Sequence, residues 1–267
     1  MCFMKLPIIR LMILMTLMSC VSDDLRINIT NIKTINEVPS ASGIFKFQDK
    51  NYLIGDDSPY LFELNSDLNL ISKTEIFSTE NLKGVTIAKD IKPDLEALDL
   101  NSKNELIAFG SGSKSPQRDV FSKIVLGDSI QVETRNITRF YNVLRQLDVL
   151  QNRELNIEAV TFYEDKIYLF NRDGNIIFCF VYKDLIEYFN TLINFPVPKI
   201  KQYDLPEIKG IQAGFSGATL LNGKPAIIFT ASVENTDNAY DDGEILGSFV
   251  GMIEFHNNEL SMQFNMF

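Results

Sequence analysis

Asn156–Asn175 reads NIEAVTFYEDKIYLFNRDGN, and its pattern decides the fold. Glu158-Ala159-Val160 opens one β-branched, aromatic run, and Ile167-Tyr168-Leu169 opens a second after a polar turn, as in a hairpin. The same pairing recurs outward in both directions. Ser42-Gly43-Ile44 is answered by Tyr52-Leu53-Ile54, Glu96-Ala97-Leu98 by Leu106-Ile107-Ala108, and Ser216-Gly217-Ala218 by Ala226-Ile227-Ile228. In chain order the two members are 10, 10, 9 and 10 residues apart, and the openings follow one another at 54, 62 and 58 residues. Each copy continues with a third apolar strand (YLFEL from Tyr60, VFSKI from Val120, IIFCF from Ile176, FVGMIEF from Phe249). A more polar fourth follows: LISKTEIF, IQVETRNI, PKIKQYDL and LSMQF.

Four-stranded units that repeat at a fixed period and grow more polar outward predict an all-β chain folded as a β-propeller. The period exceeds the ~40–50 residues of common propellers. The surplus lies in long loops and in two amphipathic stretches, Tyr141–Leu150 and Lys183–Ile193, that read as short helices. Four blades fit the count, and a degenerate unit in Ser78–Asp94 would make five or six. Arg26–Ile35 is a candidate added strand on the last blade. A β-sandwich with coincidental spacing is the competing architecture.

In a propeller the first strand of each blade lines the axis, and its starting end shares a face with the loop between the second and third strands. Glu96 and Glu158 are therefore expected opposite each other at one axial mouth, with Ser42 and Ser216 at the equivalent places. Two of the loops on that face are enlarged, and enlarged loops on a rigid scaffold carry function. One is GSGSKSPQRD, Gly110–Asp119; the other is the acidic stretch Ala231–Ser248, ASVENTDNAYDDGEILGS, which reads as a long loop without a basic residue. The ligand-binding residues expected there are Ser111, Ser113, Arg118, Asn171, Arg172, Asp173, Glu234 and Asp237. Two carboxylates about 6 Å apart at an effective dielectric near 20 repel by roughly 3 kcal/mol. Three arrangements relieve this: backbone N–H donors, ion pairs with Arg118 and Arg172, or a hard cation such as Ca²⁺ held by Glu96, Glu158, Asp241 and Asp242.

Several chemistries are excluded. His256 is the one histidine, placed in the His256-Asn257-Asn258 turn at the far end from the acidic stretch, so a Ser–His–Asp triad, a Cys–His pair and a histidine-ligated zinc are ruled out. GSGSKS puts Ser113 before Lys114 where a phosphate-binding loop needs Gly, and Pro116 follows instead of a helix. DNAYDDG puts Tyr240 at a ligand position of an EF-hand loop and Phe249 where the final Glu belongs. The net charge of −10 argues against nucleic acid as a partner. Of three Cys, only Cys179 lies in a strand, as an inert core thiol.

Met1–Arg10 carries Lys5 and Arg10, and an apolar run, Leu11–Met18, follows it. It is too short to span a bilayer and suits a secretory signal. It ends in Leu17-Met18-Ser19-Cys20, which resembles a bacterial lipoprotein signal; Val21-Ser22-Asp23-Asp24 resembles the acidic export signal of surface lipoproteins in the Bacteroidota. The resemblance implies a signal peptide over 1–19, lipidation of Cys20 and a tether over 20–24. One propeller domain over 25–267 would then be held at the outer membrane of the cell envelope, surface-exposed, by its N-terminal lipid. Removing Lys5 and Arg10 leaves a net charge of −12. Asn156–Asn175, GSGSKSPQRD and Gly214–Gly251 together resemble an uncharacterised bacterial family of unknown function. The strand openings Glu96-Ala97 and Glu158-Ala159 are distantly similar to the Glu-Gly openings of gluconolactonase/regucalcin-like and esterase-like phytase propellers. In the first of those groups the Glu is a divalent-metal ligand, so the similarity implies Ca²⁺-type binding at Glu96 and Glu158. Two functions follow: a lipoprotein binding a small molecule or protein at the axial mouth, or a metal-assisted hydrolase of lactones, esters or phosphoesters.

Overall fold

Each repeat folds into an antiparallel sheet of four consecutive strands. The structure is a computed structural model that describes residues 28, 32–80, 82–127, 129–236 and 243–267. Cys20, the expected signal and tether, and Asp237, Asp241 and Asp242 lie outside the described residues. Blade 1 comprises β1 (Ala41–Phe47), β2 (Lys50–Gly55), β3 (Tyr60–Leu64) and β4 (Leu70–Glu75). A small hairpin, β5 (Leu82–Lys83) and β6 (Thr86–Ile87), precedes blade 2, which holds β7 (Leu95–Leu100), β8 (Glu105–Gly110), β9 (Val120–Val125) and β10 (Gln131–Asn136). Helix α1 (Thr138–Arg145) leads to blade 3: β11 (Ile157–Tyr163), β12 (Lys166–Asn171), β13 (Ile176–Val181), helix α2 (Tyr182–Thr191) and β14 (Lys199–Gln202). A second small hairpin, β15 (Glu207–Ile208) and β16 (Ile211–Gln212), leads to blade 4: β17 (Gly214–Leu220), β18 (Ala226–Asn235), β19 (Glu244–His256) and β20 (Glu259–Met266).

The inner strands β1, β7, β11 and β17 line one axial cavity, which makes the four sheets a ring of blades rather than a two-layer sandwich. Burial explains the composition gradient. The second strands are buried on both faces, as the run LIAF in β8 requires, whereas β4 and β10 are largely exposed and polar. The two-residue turn between β19 and β20 is Asn257-Asn258, both at positive φ (52° and 61°), the backbone a tight hairpin demands. Three large cores lie between blades. Leu61 and Leu98 belong to the one between blades 1 and 2, and Phe170 and Phe229 to the one between blades 3 and 4. Between blades 2 and 3, Phe109 and Phe178 are joined by Phe140 of α1 and Phe189 of α2. The two helices therefore pack into the core between blades 2 and 3.

The four blades that fit the count are those found: among the described residues, Ser78–Asp94 holds the β5–β6 hairpin and no further blade. Three expectations change. The acidic stretch is mainly hairpin: β18 runs on to Asn235 and β19 starts at Glu244, because Ser232, Val233 and Glu234 keep a ladder with Ser248, Gly247 and Ile245. The described part of Arg26–Ile35 is not a strand; Ile35 packs instead with Val38 on Leu53, Phe62 and Leu64 of blade 1. Glu96 and Glu158 occupy neighbouring strands, β7 and β11, rather than opposite ones, since consecutive repeats become adjacent blades.

Candidate functional site

Every inner strand carries a β-bulge at the same place. The register slips between Ala41 and Gly43, Leu95 and Ala97, Ile157 and Ala159, and Phe215 and Gly217. The skipped residues are Ser42, Glu96, Glu158 and Ser216, the opening residues of the sequence repeat. A bulge leaves one residue outside the ladder and re-aims its side chain. Here all four border the axial cavity, about 300 Å³ in volume. Glu96 and Glu158 also form part of the wall of a wider cavity above it, about 630 Å³, which is the mouth. The two carboxylates thus mark the boundary between a mouth and a narrower channel.

The mouth is built from ion pairs. Two residues before Glu96, just ahead of β7, stands Asp94, and Asn156 holds the same place ahead of β11 before Glu158. Asp94 is buried and receives Lys92 Nζ at 2.8 Å and Arg118 Nη1 at 2.7 Å. Lys92 also pairs with Asp56, from the loop after β2. Burial works against the Lys92 charge, but Asp56 and Asp94 outweigh it and hold its pKa above the ordinary lysine value. Across the mouth, Arg172 donates to Glu234 at 2.8 Å and lies 3.7 Å from Glu158, which also accepts from Asn156 Nδ2 at 2.8 Å. Burial nevertheless raises the Glu158 pKa to about 7, with Arg172 and Asn156 pulling it back. Glu96 is pushed well above the usual carboxylate range, first by burial and then by Glu158, Asp94 and Asp56. Among the described residues Glu96 has no hydrogen-bond donor and no ion-pair partner.

The residues singled out from the sequence separate into two groups. Glu96, Arg118, Glu158, Arg172, Asp173 and Glu234 line the mouth. Ser111, Ser113 and Asn171 do not. Ser111 hydrogen-bonds Asp94 and lies 2.8 Å from the Ser113 hydroxyl, which in turn accepts from Arg118 at 2.7 Å, so both serines brace the charged pair from behind. Asn171 is fully buried and spends its amide on backbone, accepting from Asn156 N–H and donating to the Glu154 and Asp173 carbonyls. Polar residues at a strand end satisfy backbone as readily as ligands, and the linear sequence does not separate these uses. Arg118 was expected beside the axial glutamates; it pairs instead with Asp94, whose charge it neutralises together with Lys92. His256 ends β19 at the far end of the blade, away from the mouth.

Asp56, Lys92, Asp94 and Asn156 also shape the mouth, and none of them was singled out from the sequence. The Asp94-Leu95-Glu96 and Asn156-Ile157-Glu158 triplets are the signal that marks two of them, since each puts a polar residue at the same offset before an opening glutamate of the repeat. Lys92 has no such signal; it enters from the turn before β7. Asp56, Asp94 and Glu96 each present an oxygen to a common point, with the ligand atoms within 4.8 Å of one another. Lys92 already bonds two of the three.

No curated protein matches the chain in sequence. Among solved structures it is similar to a 2S albumin seed protein from Dolichos, at 15% identity and a TM-score of 0.42, covering 81% of this chain and 88% of that one. A plant lectin with two metal binding sites from Cicer arietinum is similar at 14% identity and a TM-score of 0.43, covering 83% of this chain and 89% of that one. A streptogramin B lyase is similar at 12% identity and a TM-score of 0.38, covering 84% and 68%. Likeness this remote bears on neither the mouth nor its chemistry. Residues 37–266 match a family of unknown function, DUF6929, and the chain belongs to that family.

Proposed function

We propose that this protein is a lipid-anchored binding propeller of the bacterial cell envelope that holds a small polar ligand, or a polar group of a partner, at its axial mouth. The observation supporting this most is the mouth itself, about 630 Å³ and walled by fixed charges that converge from all four blades. Charges braced by second hydrogen bonds, as Asp94 is by Ser111 and Arg118, are preorganised for recognition. The test is a thermal-shift screen of small polar molecules on the wild type and on Glu96→Gln and Arg172→Met. Ligands of the mouth stabilise the wild type and lose at least tenfold in affinity in one of the variants. If every ligand found binds all three proteins equally, the mouth is not the site.

A metal-assisted hydrolase is the second reading, favoured by the convergence of Asp56, Asp94 and Glu96. A Ca²⁺ ion there, possessing oxygen ligands from those residues, would supply Lewis-acid chemistry, but it must first displace Lys92 from two carboxylates. That requirement favours binding over catalysis. For a Ca²⁺ site of about 10 μM dissociation constant, 1 mM Ca²⁺ stabilises by roughly 2.7 kcal/mol. Equal melting temperatures in Ca²⁺, Mg²⁺ and chelator at constant ionic strength would reject the hydrolase. The anchor rests on Leu17–Cys20, and Cys20→Ala is expected to move the protein out of the membrane fraction. Unchanged fractionation would remove the anchor and leave the mouth untouched.

A further inference from the structure

Glu96 stands apart from the other carboxylates of the mouth. Asp56 and Asp94 are held by Lys92, Asp94 also by Arg118, Glu158 by Asn156 and Arg172, and Glu234 by Arg172. Glu96 alone, among the described residues, offers both oxygens to whatever enters. Directly beneath it the channel changes character. Its walls are Ile44, Leu98, Val160, Ala218 and Phe229, with only Ser and Thr hydroxyls and the two glutamates as polar groups. Gly43 and Gly217 stand next to the bulged Ser42 and Ser216, and a Cβ on either would press on the channel wall, on Leu98 Cβ at 2.9 Å and on Thr230 Oγ1 at 2.7 Å. A negative charge at the rim of an apolar channel is complementary to one kind of small molecule. Resting on the binding function above, we infer that the ligand is an organic ammonium, its charge paired with Glu96 and its apolar substituent seated in the channel.

Competing ligands fit less well. A hard divalent cation needs six or more oxygen ligands, or several retained waters, and the apolar walls supply neither. An anion would meet the Glu96 carboxylate, which, among the described residues, no cation pairs. A neutral hydrocarbon would leave the Glu96 carboxylate buried without a partner, which is costly. An ammonium satisfies the carboxylate through charge-assisted hydrogen bonds while its substituent displaces water from apolar surface. Glu158, Asp94, Asp56 and Lys92 face Glu96, with Arg118 and Arg172 behind them.

Calorimetry on the full chain tests this with ammonium, n-butylammonium and benzylammonium chlorides, with n-butanol and butyrate as neutral and anionic counterparts, and with CaCl₂ separately. At pH 8 and constant ionic strength, the butyl and benzyl cations are expected to bind at least tenfold tighter than ammonium, with no response to butanol or butyrate. Glu96→Gln should weaken both cations tenfold or more. Thr219→Phe, which narrows the channel, should instead shrink the preference for butylammonium over ammonium. Melting curves without ligand show whether each variant is folded, and either one alone decides. Amine binding that ignores the tail, or that survives in Glu96→Gln, overturns the inference. Ca²⁺ saturation without an amine response also overturns it, yet leaves the mouth as a binding site. Only the failure of every mouth ligand in the screen removes both.

Discussion

Lys92 places its ammonium between the Asp56 and Asp94 carboxylates, with only 10% of the side chain exposed. Breaking a buried ion pair leaves an uncompensated charge, which costs about 3–5 kcal/mol. Arg118 still serves Asp94, so Lys92→Met is expected at the lower end, about 3 kcal/mol, read as a fall in the urea midpoint. A loss below about 1 kcal/mol would mean the pair is solvated in solution. Asp99 behaves differently. It is buried and accepts from the backbone N–H groups of Leu100 and Phe162, tying β7 to β11. Burial raises its pKa from 3.8 to about 7, against the pull of Thr161 and the two backbone donors. A carboxyl whose pKa rises on folding stabilises fully below its unfolded value, and that contribution fades as pH climbs to the folded value. Between pH 4 and pH 7 the wild type should therefore lose stability relative to Asp99→Asn, by at most about 4 kcal/mol at 1.36 kcal/mol per unit. Denaturation curves of the two proteins that stay parallel across that range would dismiss the effect.

At the scale of the element, the bulge is the device that makes the site. A regular inner strand would alternate its residues between the two packed faces of the blade, and no side chain would be directed at the axis. Skipping one position per strand aims Ser42, Glu96, Glu158 and Ser216 there without breaking the rest of the ladder. The second strand has its own constraint. At the end of β8, a Cβ on Gly110 would meet the backbone oxygens of Arg118 and, at 2.6 Å, of Pro93. Arg118 lines the mouth and Pro93 stands between Lys92 and Asp94, and neither backbone oxygen can swing aside as a flexible side chain would. Gly110→Ala should cost about 1–3 kcal/mol, as overpacking does, and weaken any mouth ligand as well. Gly127→Ala, where a Cβ would meet only Ser129 O at 3.9 Å, is the control expected to be neutral. Equal thermal stability of the two variants would show that the Gly110 contact relaxes without cost.

Across the whole molecule the ring is uneven. Three blade interfaces hold large apolar cores, and among the described residues no core cluster joins blade 4 to blade 1. Ile44, on the inner strand of blade 1, is 58% exposed, and the outward face of that blade is covered by Ile35 and Val38 instead of by blade 4. Each sheet is made of consecutive strands, so among the described residues no exchanged strand latches the ring either. Local opening follows the lowest density of buried contacts. Hydrogen exchange is therefore expected to be fastest, among the inner strands, in β1 and β17, and slowest in β7 and β11. Uniform protection around the ring would show that the fourth interface is as tight as the others.

The four-blade count, the strand order, both helices and the face on which Glu96 and Glu158 emerge were legible in the chain. These follow from period, alternation and turn chemistry, which are local and repeat along the sequence. The resemblance of Gly110–Asp119, Asn156–Asn175 and Gly214–Gly251 to a family of unknown function agrees with the match over residues 37–266. What the residues of the mouth do to one another was settled only by folding. Arg118 went to Asp94, Asn171 and the two serines turned to backbone and neighbouring side chains, and Lys92 arrived from a turn with no periodic signal. Ion pairs and buried hydrogen bonds depend on which groups a closed ring brings within about 3 Å of one another. Spacing along the chain carries no record of that distance, whereas it records the pleat of every strand.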